Sequence, residues 1–139
     1  MRPTKLLRVP AALAAALLFA LGSGAAAPIS SAPQCPRQDT NVVKPMRFAR
    51  GRTTAVVKNT VRLCTSHEYR LRARTGQTMS VNLATGGRTS FTVVAPGGDT
   101  LEGADGVKSW SGELPADGRY SIQIGTDATA AYTLEVTIR

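Results

Sequence analysis

The residues able to do chemistry are few and scattered. The chain's one histidine stands in Ser66-His67-Glu68. Hydroxyl, imidazole and carboxylate are the parts of an acyl-transfer triad. Successive residues of a strand point to opposite faces, however, so three sequence neighbours cannot assemble one. Asp99, Glu102 and Asp105 lie among Gly97, Gly98, Gly103 and Gly106. Oxygen ligands three apart on a flexible loop are a pattern for weak calcium binding, although the spacing is not that of an EF-hand. Residues 27–139 contain no G-x-S-x-G, no H-E-x-x-H and no phosphate-binding G-x-x-x-x-G-K. These residues point to a binding protein with no catalytic activity, no cofactor and no resident metal.

The cysteines and the N-terminus define the compartment. Arg2, Lys5 and Arg8 precede an apolar Ala/Leu-rich run over 9–21, and Gly22-Ser23-Gly24 and Ala25-Ala26-Ala27 follow. That is the layout of a secretory signal, with cleavage expected after Ala26. The run is short of the roughly 20 apolar residues that a membrane span needs. Cys35 follows Pro33-Gln34, which is not a lipobox, so the expected product is exported, periplasmic or extracellular, with no stable membrane insertion. In an oxidising compartment an even pair, Cys35 and Cys64, is expected to form one disulfide.

The formal charge is +8. Arg2, Lys5 and Arg8 belong to the leader, which leaves +5. Residues 28–74 carry ten Lys/Arg against Asp39 and Glu68, whereas residues 75–139 carry four against seven acids. The asymmetry suits an acidic protein or an anionic envelope polysaccharide. Export and few aromatics argue against nucleic acid.

These residues need a scaffold to position them. Residues 27–45 are Pro/Ser-rich and read as a strap, and from Met46 the pattern becomes short alternating runs broken by Gly, Asn and Asp. Residues 46–48 and 53–58 read as strands. In 68–74, Tyr69, Leu71 and Ala73 alternate with Arg70, Arg72 and Arg74, so one face is core and the other is a cationic stripe. After Thr75-Gly76-Gln77, the row Met79, Val81, Leu83 follows, and the two runs read as a hairpin. Residues 90–95, a short strand at Trp110, 120–124 and 132–138 complete the set, with 99–108 as a loop. Tyr120 and Tyr132 are expected in the core, with their hydroxyls at its edge. Seven or eight short strands with turns every eight to twelve residues predict an all-β, antiparallel, jelly-roll-like sandwich over 46–139. Residues 1–26 are the leader and 27–45 the strap.

Four stretches carry a resemblance: Phe48-Ala49-Arg50-Gly51, Tyr69-Arg70-Leu71-Arg72-Ala73-Arg74-Thr75-Gly76-Gln77, Leu114-Pro115-Ala116-Asp117-Gly118-Arg119-Tyr120 and Tyr132-Thr133-Leu134-Glu135-Val136. Their order is similar to the periplasmic inhibitors of goose-type (g-type) lysozyme, and to the bacterial pre-peptidase C-terminal domains. The first resemblance implies a β-sandwich that contacts lysozyme with loops at one end. On that basis residues 65–68 and the connection 125–130 form the contact end, with Ser66, His67, Glu68, Thr126 and Asp127 as contact residues. The connection departs from the inhibitor pattern in being short and acidic. The second resemblance implies a polysaccharide or cell-envelope binding module, with Arg70, Arg72 and Arg74 as the anion-binding face.

Overall fold

The computed structural model describes residues 40–139 together with Gly24, Ala26, Ala27 and Cys35. The leader reading and most of the strap lie outside the described residues. Eight strands follow in order: β1 (Thr40–Pro45), β2 (Thr54–Val61), β3 (Thr65–Ala73), β4 (Thr78–Thr85), β5 (Thr89–Val94), β6 (Ser109–Glu113), β7 (Gly118–Thr126) and β8 (Ala130–Ile138). Odd-numbered strands form one four-stranded sheet in the order β1-β3-β7-β5, and even-numbered strands form the other, β2-β8-β4-β6. The all-β sandwich and its Cys35–Cys64 disulfide match expectation.

Two strand readings need correction. The runs on either side of Thr75-Gly76-Gln77 are not a hairpin. β3 pairs with β1 and β7, whereas β4 pairs with β6 and β8. Every connection in the chain crosses between sheets. Alternation says only that one side of each run is buried, and two runs facing each other across a core satisfy it as well as two lying side by side. Second, residues 46–48 form no strand. The first strand is Thr40–Pro45, inside the stretch read as a strap, and it runs parallel to β3 with Val42 opposite His67 and Lys44 opposite Tyr69. Lys44-Pro45 looked like a strand breaker. Proline is tolerated on an edge strand because its missing donor faces no partner there, and β1 is an edge strand.

The core lies between the inward rows. Tyr69 and Leu71, Phe91 and Val93, and Tyr120, Ile122 and Ile124 come from the odd sheet; Met79 and Val81, Leu134 and Val136, and Val61 come from the even sheet. Each large apolar side chain so buried stabilises the fold by about 1.5–3 kcal/mol. The Tyr120 hydroxyl donates to the Ala116 carbonyl at 2.7 Å and accepts from the Ala116 N–H at 3.2 Å, which fastens the turn to the strand that follows it. Gly118 in that turn has φ +142, and a Cβ there would stand 2.9 Å from Pro96. The Leu114-to-Tyr120 motif is therefore a built corner: Leu114 is the buried plug, Gly118 gives the backbone its room, and Tyr120 ties it down.

Hydrogen bonds gather the turns at two ends. At the disulfide end, Leu63 N–H donates to the Thr129 hydroxyl at 3.1 Å, and the Thr89 hydroxyl to that of Thr126 at 3.1 Å. At the opposite end, Ile138 N–H donates to Thr53 O at 2.9 Å, Gly76 N–H to Leu114 O at 2.9 Å, and Thr75 N–H to the Asp117 carboxylate at 2.6 Å.

Candidate functional site

Three places contain the residues singled out above: a buried polar chain, a carboxylate cluster on the outer face of the odd sheet, and an arginine-bearing end.

The polar chain joins the two sheets. Asn59 Nδ2 lies 3.4 Å from the Tyr69 hydroxyl, which lies 2.7 Å from the Tyr132 hydroxyl, which lies 2.6 Å from His67 Nδ1. Its direction is fixed at the Asn59 end. The Asn59 carbonyl accepts from Thr60 N–H at 2.8 Å, so its amide group donates to Tyr69. With Tyr69 donating to Tyr132 and Tyr132 to His67 Nδ1, every proton in the chain finds an acceptor, and Nδ1 is then the unprotonated nitrogen. Burial, and next the Lys44 ammonium, hold His67 below its ordinary pKa of 6.5, in agreement with a neutral ring protonated on Nε2. Burial, and next Tyr69, push the Tyr132 phenol up. His67 is thus an acceptor inside the sandwich, and the Tyr132 hydroxyl lies between the sheets instead of at the core's edge.

Glu68 points the other way. Its carboxylate accepts from Arg70 Nε at 2.6 Å, Asn41 Nδ2 at 2.9 Å and Ser121 Oγ at 2.9 Å. The Arg70 guanidinium, helped by Asn41 and Ser121 and opposed by burial, lowers its pKa from 4.5 to about 2. A depressed carboxylate pKa contributes stability that is complete above the unfolded value and is lost as pH falls through the folded one. Urea stability should therefore fall between pH 4.5 and about 2. In Glu68→Gln that limb should flatten, with a loss of about 1–3 kcal/mol at pH 7. An unchanged acid limb in the variant would assign it to other groups.

Of the contact set read from sequence, two residues are buried, two are partly exposed and one is exposed. His67 and Glu68 are each only 6% exposed. Ser66 Oγ donates to Asn41 at 3.2 Å, and the Thr126 hydroxyl locks its own turn by donating to Ala128 O. Of the five, Asp127 alone is exposed, with no side-chain hydrogen bond among the described residues. The parallel edge strand β1 closes over this end, and alternation within β3 gave no sign of it.

Asp99, Glu102 and Asp105 do not converge either. Among the described residues no group of three His, Cys, Asp or Glu can hold a metal ion. Asp105 instead accepts from the Thr92 hydroxyl at 2.9 Å, and the Glu102 carbonyl accepts from Trp110 Nε1 at 2.9 Å, so this loop is fastened to the sheets on both sides. Among the described residues no helix is long and apolar enough to cross a membrane.

Five exposed arginines collect at the end opposite the disulfide. The β1–β2 connection carries Arg47, Arg50 and Arg52, the β3–β4 turn carries Arg74, and Arg139 follows β8, all of them exposed. Among the described residues the one ion pair is Arg70–Glu68, so these five guanidinium groups have no acidic partner. The motif Phe48-Ala49-Arg50-Gly51 lies in this cluster. Its sequence signal was the density of arginine over 47–52, and the chain reversal that assembles it with residues 74 and 139 is not written locally.

No protein-family model and no curated protein matches the chain. Solved structures do. The Escherichia coli and Salmonella Typhimurium PliG proteins, periplasmic inhibitors of g-type lysozyme, share the fold at 19% and 21% identity and TM-scores of 0.59 and 0.57. The alignments cover 72% and 73% of this chain and 99% and 100% of theirs. Aeromonas hydrophila PliG, also a periplasmic inhibitor of g-type lysozyme, aligns at 31% identity with a TM-score of 0.67, over 73% of this chain and all of its own. With that identity sustained over the relative's full length and the two-sheet fold in common, the chain belongs to the PliG family of periplasmic inhibitors of g-type lysozyme.

Proposed function

We propose that this protein is exported to the periplasm and inhibits a g-type lysozyme, presenting its arginine-bearing end to the enzyme's cleft. The observation that carries the reading is the 31% identity over the whole length of Aeromonas hydrophila PliG. The choice of end rests on charge. Most glycoside hydrolases work with carboxylates flanking the scissile bond. A loop bearing Arg47, Arg50 and Arg52 with no acidic partner complements such a cleft, and complementary charge speeds association and fixes register. The disulfide end carries fewer cations, exposed Arg62 and Arg88, and sets them beside Asp127, which such a cleft repels.

Cell-wall lysis by g-type, chicken-type and invertebrate-type lysozymes, with the oxidised protein added, tests this. Inhibition of the g-type enzyme is expected. The double change Arg50→Glu/Arg52→Glu should weaken it at least about tenfold, roughly 1.4 kcal/mol. Asp127→Ala should leave it within about twofold, as changes outside an interface's energetic centre do. Failure to inhibit the g-type enzyme at micromolar concentration would defeat the reading. Sensitivity at Asp127 with indifference at Arg50 and Arg52 would move the contact to the disulfide end.

A further inference from the structure

The outer face of the odd sheet carries a second cluster of cations, on β3 and β7 and not on the β1–β2 connection. Arg70 and Arg72 leave β3 on its outward side. Arg119 leaves β7 on the same side, directly opposite Arg72 in the strand register. Like charges placed opposite each other across a sheet are destabilising. Glu68 cannot relieve this pair, because its carboxylate is committed to Arg70, Asn41 and Ser121. Arg72 and Arg119 have no acidic partner among the described residues.

The arginines line a groove. One depression of about 410 Å³ is bounded by Val43, Pro45, Arg70, Arg72 and Arg119. A second, of about 590 Å³, shares Arg72 and continues past Arg74, Gln77 and Asp117, whose carboxylate is occupied by the Thr75 N–H. The track thus runs along β3, with cationic residues about 6.6 Å apart at every second position. Val43, 45% exposed, gives one wall an apolar strip. The carboxylate cluster has a role in this setting. Glu68 draws in Arg70 through Nε and leaves the terminal guanidinium nitrogens without a carboxylate partner, in a fixed orientation above the groove.

We infer that this groove binds a linear anionic polysaccharide, its carboxylate or sulfate groups held by Arg72 and Arg119 and its sugar rings lying along Val43 and Pro45. Guanidinium forks suit planar oxyanions, and an open track with repeated cations suits a polymer. Nucleic acid needs stacking platforms, and no aromatic side chain stands on these outward positions. A protein partner needs a large apolar or aromatic anchor in a closed pocket, and the face has none. The site lies outside the connection assigned to lysozyme and goes beyond inhibition. Sequence alternation named Arg70, Arg72 and Arg74. The cross-strand register replaces Arg74 with Arg119 as the partner of Arg72, and Arg74 sits past the strand's end, in the turn.

Titration calorimetry of the oxidised protein with polygalacturonate and with dextran sulfate, against neutral dextran, tests the inference. Both anionic polymers should bind and neutral dextran should not, with affinity falling as salt rises. Arg72→Gln/Arg119→Gln should lose at least about tenfold in affinity while its melting temperature holds or rises, because the like-charge pair is gone. Arg50→Gln/Arg52→Gln removes the same charge elsewhere and should lose less than about threefold. Absence of binding to either polymer, or equal loss in the two variants, would overturn the site, the latter by assigning the attraction to net charge. Either result leaves the lysozyme assay untouched, since that depends on other residues.

Discussion

Tyr132→Phe should destabilise the protein by about 2–5 kcal/mol, out of proportion to the single oxygen removed. The hydroxyl lies between two buried partners, 2.6 Å from His67 Nδ1 and 2.7 Å from the Tyr69 hydroxyl. Removing it strands an acceptor and a donor together, and each unsatisfied buried group costs about 1–3 kcal/mol. The ring stays, so no cavity adds to the loss. In a domain of this size about 1 kcal/mol moves the melting temperature by about 4–8 °C, so the midpoint should fall by at least about 8 °C. The urea m-value should not change, because the surface exposed on unfolding is the same. A fall of less than about 3 °C would mean that water enters this end of the sandwich and satisfies the stranded groups.

The same chain of hydrogen bonds makes stability depend on pH, and the sign follows from its direction. A proton on His67 Nδ1 would meet the Tyr132 proton and turn it toward Tyr69, whose oxygen would then accept from both Asn59 and Tyr132 and whose own proton would lose its acceptor in the chain. Burial first, and the Lys44 ammonium next, lower the His67 pKa. A lowered histidine pKa means that the unfolded chain takes up protons first. Stability is complete above pH 6.5 and declines as pH falls from there toward the folded value, whereas the Glu68 loss begins only below pH 4.5. His67→Asn keeps an acceptor near Nδ1 and cannot titrate, so its stability should be flat across that window.

Much of the architecture was legible because burial leaves a period-two trace. Tyr69, Leu71, Met79, Val81, Leu83, Tyr120, Ile122, Leu134 and Val136 all read as inward-facing from alternation, and all are buried. The pairing of strands was not legible, because β3 and β4 present the same alternation whether they lie side by side or face to face. The two misread acids and the histidine share one cause. Glu68 looked exposed because its neighbours Arg70 and Arg72 point outward with it, and only the lateral contacts with Asn41 on β1 and Ser121 on β7 bury it. His67 stood near a strand start, where a structural and a solvent-facing role were both open, and Tyr132 from the opposite sheet decides between them. Asp105 stood in a spacing that suits weak calcium binding, and its actual partner, Thr92, is thirteen residues away. In each case the deciding partner comes from another element, whereas the Leu114-to-Tyr120 corner, whose Tyr120–Ala116 tie spans four residues, was recognisable as a motif.

Loss of the disulfide should have the other large effect, and it should be felt first in β1. The bond joins positions 29 residues apart, and closing such a loop is worth about 3–4 kcal/mol in the chain-entropy account. That is a large share of the roughly 5–15 kcal/mol that holds a domain folded. β1 pairs with β3 alone, and its start is tied to the Cys64 carbonyl by Thr40 N–H at 3.4 Å. Cys35→Ser/Cys64→Ser should therefore lower the melting temperature by about 15–25 °C. Amide exchange over residues 41–44 should accelerate before that of β7 or β4, because edge elements with one neighbour open at lower free energy than central ones. Cys64 also holds φ +65, a conformation that costs a side-chain-bearing residue about 1–2 kcal/mol. Cys35→Ser/Cys64→Gly should accordingly recover about 1 kcal/mol relative to the double serine variant. The consequence reaches the groove, since Val43 and Pro45 form its wall and Asn41 is a third of the hold on Glu68. Polymer binding should thus weaken in the serine variant at temperatures where the protein is still folded, while lysozyme inhibition, presented from the opposite end, should persist. Equal decay of both activities would show that β1 and the rest of the sandwich open as one unit.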